Sequence, residues 1–165
     1  MRLYLYIAAL CIVAVVFIAP SLEKFTKETA PELAQKQSKK QARPLHISAN
    51  ANEQFVVGVL LNGSRAQALI DTGASRLTIP RSVALRAGIQ LSESDFQYPV
   101  STASGRTLAA RANLQNLQIG TLEALNQEAM ILKDEDLNVV LIGMPTLNAL
   151  GDLSVTMGRL VINPR

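Results

Sequence analysis

The chain has 165 residues and a formal net charge of +3, with one histidine and one cysteine. Its length gives room for one ordinary domain once the ends are discounted, and a lone His and Cys exclude a zinc cluster or a disulfide framework. Residues 21 to 50 carry six Lys or Arg against three Glu, whereas residues 51 to 165 carry nine positive against ten negative side chains, so the excess charge gives the domain no nucleic-acid footprint.

Residues 3 to 19 (LYLYIAALCIVAVVFIA) are uncharged and apolar, and Pro20 stops them. The run is at the lower edge of what spans a bilayer, so residues 1 to 20 are read as an N-terminal transmembrane anchor. A cleaved signal segment is the alternative, because Ala19-Pro20-Ser21 sets small residues at cleavage spacing. The lysines that follow outnumber Arg2, which by the positive-inside rule favours a cytoplasmic domain. The very short leading tail favours the opposite side. The expectation is a single-pass membrane protein with its domain extracytoplasmic, on the periplasmic side. Residues 21 to 50, polar and rich in Lys, Gln and Glu, read as a flexible stalk.

From 51 to 165 the pattern is short apolar runs parted by Gly, Asn and Ser. Gln54 to Leu61 reads as a strand, and Asn62-Gly63 as a hairpin turn into a second strand over Arg65 to Ile70. Arg76 to Ile79 gives a third, after which Pro80 opens a helical turn over Arg81 to Ala87 that Gly88 closes. Further strands are predicted at Phe96 to Ser101, Thr107 to Ile119, Glu128 to Lys133 and Val139 to Ile142. Pro145 to Leu150 predicts a second helical turn, and Leu153 to Thr156 and Leu160 to Ile162 end the chain as strands. Many short strands with one or two short helices predict a mainly β, barrel-like domain.

One segment presents a carboxylate in a way that suits hydrolysis. In Leu69-Ile70-Asp71-Thr72-Gly73-Ala74-Ser75, two apolar residues suit the end of a buried strand, from which Asp71 emerges. Thr72 supplies a hydroxyl, and Gly73 lets the backbone turn tightly beneath the acid. Competing chemistries lack their residues. A Ser-His-Asp triad must use His46, in a polar stretch before the first strand, and a Cys-His pair must use Cys11, inside the apolar run. No Gly-rich phosphate loop is present. Carboxylate chemistry is what remains.

In their order and spacing, three segments within residues 52 to 163 resemble the retropepsin-like (clan AA) aspartic proteases, and among them the bacterial, membrane-anchored branch. They are the motif at 69 to 75, the small-residue turn Ser101-Thr102-Ala103-Ser104-Gly105-Arg106 where that family has its flap, and Leu141-Ile142-Gly143-Met144-Pro145 before its C-terminal helix. The resemblance implies a retropepsin-like acid-protease β-barrel half, preceded here by the transmembrane helix. It implies a membrane-tethered aspartic endopeptidase that hydrolyses peptide bonds as a homodimer, one Asp71 from each chain forming the dyad around an activated water. Two carboxylates so close share a proton.

The residue roles it implies follow the motif. Thr72 matches the hydroxyl that supports the dyad across the dimer, and Gly73 matches the backbone facing the substrate. Ala74 and Ser75 continue the substrate wall; retroviral proteases carry an acidic residue where Ser75 stands, which touches substrate contacts and not the dyad. Ser104 and Gly105 match the flap tip that closes over the peptide. Ile142 and Gly143 match the segment whose glycine lets its strand approach the catalytic loop. Neither metal nor other cofactor is implied; the partners implied are a peptide or protein substrate, a second copy of the chain, and the membrane. A catalytically idle binding or scaffold domain of the same fold is the alternative.

Overall fold

Leu61 and Ser64 face each other across Asn62-Gly63, whose φ values of 47° and 84° are those of a type I′ turn. This hairpin, β2 (Val56–Leu61) and β3 (Ser64–Ile70), opens the main sheet of the computed structural model, which describes residues 43 to 102 and 105 to 165. β4 (Leu77–Pro80) follows the aspartate loop, and Pro80 leads into the short helix α1 (Arg81–Arg86). After a 3-10 turn at Glu93–Asp95 come β5 (Tyr98–Thr102), β6 (Gly105–Ile119) and β7 (Leu122–Leu132). β8 (Val140–Ile142), helix α2 (Met144–Leu150), β9 (Asp152–Thr156) and β10 (Arg159–Asn163) complete the chain.

The order across the main sheet is β2-β3-β8-β4-β7-β6-β5, and β2 also pairs with β6 through Leu60 opposite Gln118 and Leu61 opposite Leu117. That second pairing curls the sheet on itself into a barrel, leaving β5 as an outer hairpin arm on β6. Apolar burial drives the closure. Leu61, Leu77, Ile79, Leu114, Leu117 and Ile131 turn inward and are fully buried. A smaller sheet, β1-β10-β9, joins Leu45–Ser48 (β1) to the C-terminal strands, with Leu45 opposite Ile162.

A mainly β barrel with short helices therefore agrees with the sequence pattern, but two expectations change. β1 falls inside the span read as stalk, so the folded chain starts before residue 51. The second change concerns the membrane. The predicted anchor over residues 3 to 19, and most of the stalk, lie outside the described residues. Among the described residues no helix is long and apolar enough to cross a membrane; α1 has 6 residues and α2 has 7. The expectations of a transmembrane helix in the fold, of membrane attachment and of a single-pass placement are corrected accordingly.

Around α1, a charged cluster fastens the 3-10 turn to the barrel. Arg81 donates to the Glu93 carboxylate, Lys133 Nζ lies 3.3 Å from the other carboxylate oxygen, and both cations sit over the Phe96 ring at 5.5 and 5.8 Å. The hydrogen bond from Arg81, then that from Lys133, hold the Glu93 carboxyl below its ordinary value of 4.5. A lowered value in the fold means that the stabilisation is complete above pH 4.5 and is lost as pH falls through the folded value.

Two outcomes follow from packing and charge. Leu114→Ala empties a fully buried site in β6 and is expected to cost about 2–5 kcal/mol, read from the urea midpoint at unchanged slope. Glu93→Gln is expected to flatten the fall of melting temperature with acidification below pH 4.5, measured in a buffer series. A slope equal to wild type there would mean that the cluster contributes nothing.

Candidate active site

Ile70 is the last residue of β3, and its strand is hydrogen-bonded in parallel to β8, Ile70 opposite Ile142. Asp71 follows directly, and its own N–H donates to the Ile142 carbonyl at 3.1 Å, so the acid leaves the sheet still tied to it. Its Oδ1 then accepts from the Gly73 N–H at 2.9 Å, and its carbonyl accepts from the Ala74 N–H at 3.1 Å. These two bonds form a tight turn that aims the carboxylate outward. Asp71 is half-buried.

Below the turn, Gly143 makes the close approach possible. A Cβ on Gly143 would stand 2.5 Å from the Ala74 carbonyl oxygen and 2.7 Å from that of Arg76. The next N–H, of Met144, donates to that same Ala74 oxygen at 3.2 Å. The loop from 71 to 76 is thus stitched to β8 on one side and to the start of α2 on the other. Arg76 extends to Glu128 on β7 at 2.9 Å, an exposed pair that orients the rim and adds little stability.

Above the turn lies a cavity of about 540 Å³. Asp71, Gly73, Ala74, Ser75 and Arg76 form its floor and one rim, and Val100, Ser101 and Thr102 of β5 face them from the hairpin. Met130, Leu132, Leu137 and Leu141 give an apolar wall, and Asp136 is among the lining residues. Asp136 Oδ2 accepts from Thr107 Oγ1 at 2.7 Å.

The structure brings four of the predicted site residues, Asp71, Gly73, Ala74 and Ser75, onto one cavity. Thr72 is exposed and outside its lining. Gly105 begins β6 opposite Thr102 and is also outside the lining, while Ser104 lies outside the described residues. Ile142 and Gly143 are buried beneath the floor. Sequence reasoning missed the wall and Asp136. The wholly buried run Ala129 to Leu132, followed by three consecutive acids at 134 to 136, was the available signal.

A model of the gag-polyprotein putative aspartyl protease family matches residues 57–149. The chain belongs to that family. The match spans β2 to α2 and so contains the Asp71 turn, the β5–β6 hairpin and Gly143. A crystal structure of a retropepsin-like aspartic protease from Rickettsia conorii is similar with a TM-score of 0.64 and 25% identity, over 73% of this chain and 90% of that one. An uncharacterized protein in the cobV 5′ region of a Sinorhizobium species is 30% identical over 109 residues. That stretch is 66% of this chain and 47% of the relative, so the chain spans about half the length of the curated relative it matches. Family and structure together give the chain an aspartyl, retropepsin-like protease fold.

They do not carry the paired-aspartate, membrane-tethered arrangement. Among the described residues no acidic side chain is hydrogen-bonded to Asp71, whose carboxylate is held by the Gly73 N–H, and no group of three or more His, Cys, Asp or Glu could hold a metal ion. What family and fold support is a retropepsin-like protease fold, and the expectation of a membrane-tethered dyad is corrected to that coarser statement.

Gly143→Ala tests whether the close approach governs that loop. The clash is with backbone and cannot be relieved by a side-chain rotation, so the expected cost is about 1–3 kcal/mol at the upper end of overpacking. Equilibrium denaturation reads the cost. Faster amide exchange at Ala74 and Met144 is expected alongside it, and unchanged exchange would contradict the coupling.

Proposed function

We propose that the chain is an aspartic-type endopeptidase acting on peptide or protein substrates at the Asp71 cavity. The observation that carries the reading is the outward-aimed Asp71 carboxylate on the floor of a cavity whose opposite side is a strand hairpin, in a chain of this family. An extended peptide suits the space between β5 and the 71–76 loop, because both present backbone groups along their length. Asp71 takes a proton from water as the water oxygen attacks the scissile carbonyl carbon. It returns a proton to the leaving nitrogen as the tetrahedral carbon collapses.

The neighbouring residues have supporting parts in this reading. The Gly73 N–H fixes the acid's orientation, and any side chain there would crowd Oδ1, since a Cβ on Gly73 would meet it at 3.2 Å. Ala74 and Ser75 offer small side chains along the peptide's path. Thr72 and Gly105 flank the path without lining the cavity. Ile142 and Gly143 act from below by holding the loop.

Asp71→Asn keeps the acceptor for the Gly73 N–H but removes the basicity. It is expected to lower kcat/KM for peptide cleavage by about 10²–10⁴-fold, with an unchanged melting temperature. Cleavage of a mixed peptide library at mildly acidic pH, followed by mass spectrometry, measures it. Equal cleavage by the two proteins would overturn the assignment of Asp71.

A further inference from the structure

The residues lining the cavity differ in chemistry. Met130 and Leu132 of β7 and Leu137 and Leu141 beyond it are apolar, and Val100 closes them from the hairpin. Asp136 also lines the cavity, half-buried, with Thr107 as its hydrogen-bond donor. A hydroxyl is a neutral partner for a carboxylate, and among the described residues no Lys or Arg is ion-paired with Asp136. Four cations on neighbouring elements are engaged elsewhere. Lys133 pairs with Glu93, Arg81 binds the same Glu93, Arg76 pairs with Glu128, and Arg111, opposite Met130, stacks on the Tyr98 ring.

We infer that this cavity selects a basic substrate side chain, lysine or arginine, beside the scissile bond, with Asp136 as the specificity-determining residue. The inference rests on the proteolytic reading of the Asp71 site. An alkyl stem of three or four carbons lies along the Met130–Leu132–Leu137 wall, and the cationic head reaches the carboxylate at its end. Leucine fills the same wall but covers a half-buried carboxylate without giving it a donor, which costs free energy. Glutamate meets two like charges, Asp136 and Asp71, in one cavity. The order of preference is therefore basic, then aliphatic, then acidic.

The test uses the full chain and short fluorescent peptides that differ only at one central residue, Lys, Arg, Leu or Glu. Binding is measured by fluorescence polarisation on the Asp71→Asn protein, and cleavage on wild type. The basic peptides are expected to exceed the leucine peptide about tenfold in both readouts, as one charge-assisted hydrogen bond provides. Asp136→Asn retains an acceptor for Thr107 and is expected to bring that ratio near unity, while Asp136→Glu keeps the basic preference. A leucine peptide that equals or exceeds the basic ones, a ratio unmoved by Asp136→Asn, or no peptide binding at all overturns the inference. Binding that follows the expected order without cleavage by wild type supports the pocket and refutes the proteolytic reading, so the two fail separately.

Discussion

The backbone contact between Gly143 and the loop from Ala74 to Arg76 is the constraint on which the site depends. It is possible because residue 143 has no side chain: a Cβ would meet three backbone atoms within 2.9 Å. Hydrogen bonds on both sides turn proximity into registration. Asp71 N–H reaches Ile142, and Met144 N–H reaches Ala74. β8 is itself gripped between β3, running parallel, and β4, antiparallel at Thr78 opposite Leu141. A three-residue strand so held has little freedom to shift. Asp71 therefore inherits its position from the sheet, although it lies in a loop.

The upper half of the cavity is positioned by different means. β5 belongs to the sheet only through β6, from Tyr98 opposite Ala109 to Thr102 opposite Gly105. Among the described residues its outer edge pairs with no strand of the sheet. The Thr102 hydroxyl donates to the Gly105 carbonyl at 3.0 Å, which closes the described end of the hairpin across residues 103 and 104. Arg111 stacked 4.3 Å over the Tyr98 ring steadies the other end. A floor tied to the sheet thus faces an arm anchored along one edge.

Much of this was legible from the sequence where the determinants are contiguous. Asn62-Gly63 specifies its turn locally, and the inward apolar residues of β2 and β3 alternate visibly. The aspartate turn is likewise written in five consecutive residues. What was not legible depends on partners distant in sequence. Leu45-His46-Ile47-Ser48 has one buried residue and follows a lysine-rich stretch; only the opposite strand, Arg159–Asn163, makes it a strand. The first half of β7 contains exposed Leu125 and a positive φ at Asn126, a poor strand until β6 lies beside it. The cavity wall is the same case, since the parallel pairing of β4 with β7 brings Met130 and Leu132 toward Asp71.

This division between local and distant determinants also separates two tasks within the site. Everything that fixes the Asp71 carboxylate, from the Gly73 N–H to the Gly143 contact, is backbone, and side-chain substitution at the surface leaves it in place. The residues that give the cavity its chemical character are side chains on β7 and on the segment from Lys133 to Val139 that links it to β8. That segment is a connection on the surface, where changes of residue cost least in stability. Asp136 sits in it, held by one hydroxyl, beside the half-buried Leu137. The acid and its frame are thus set by the fold, while the wall that meets a substrate side chain can change without disturbing them.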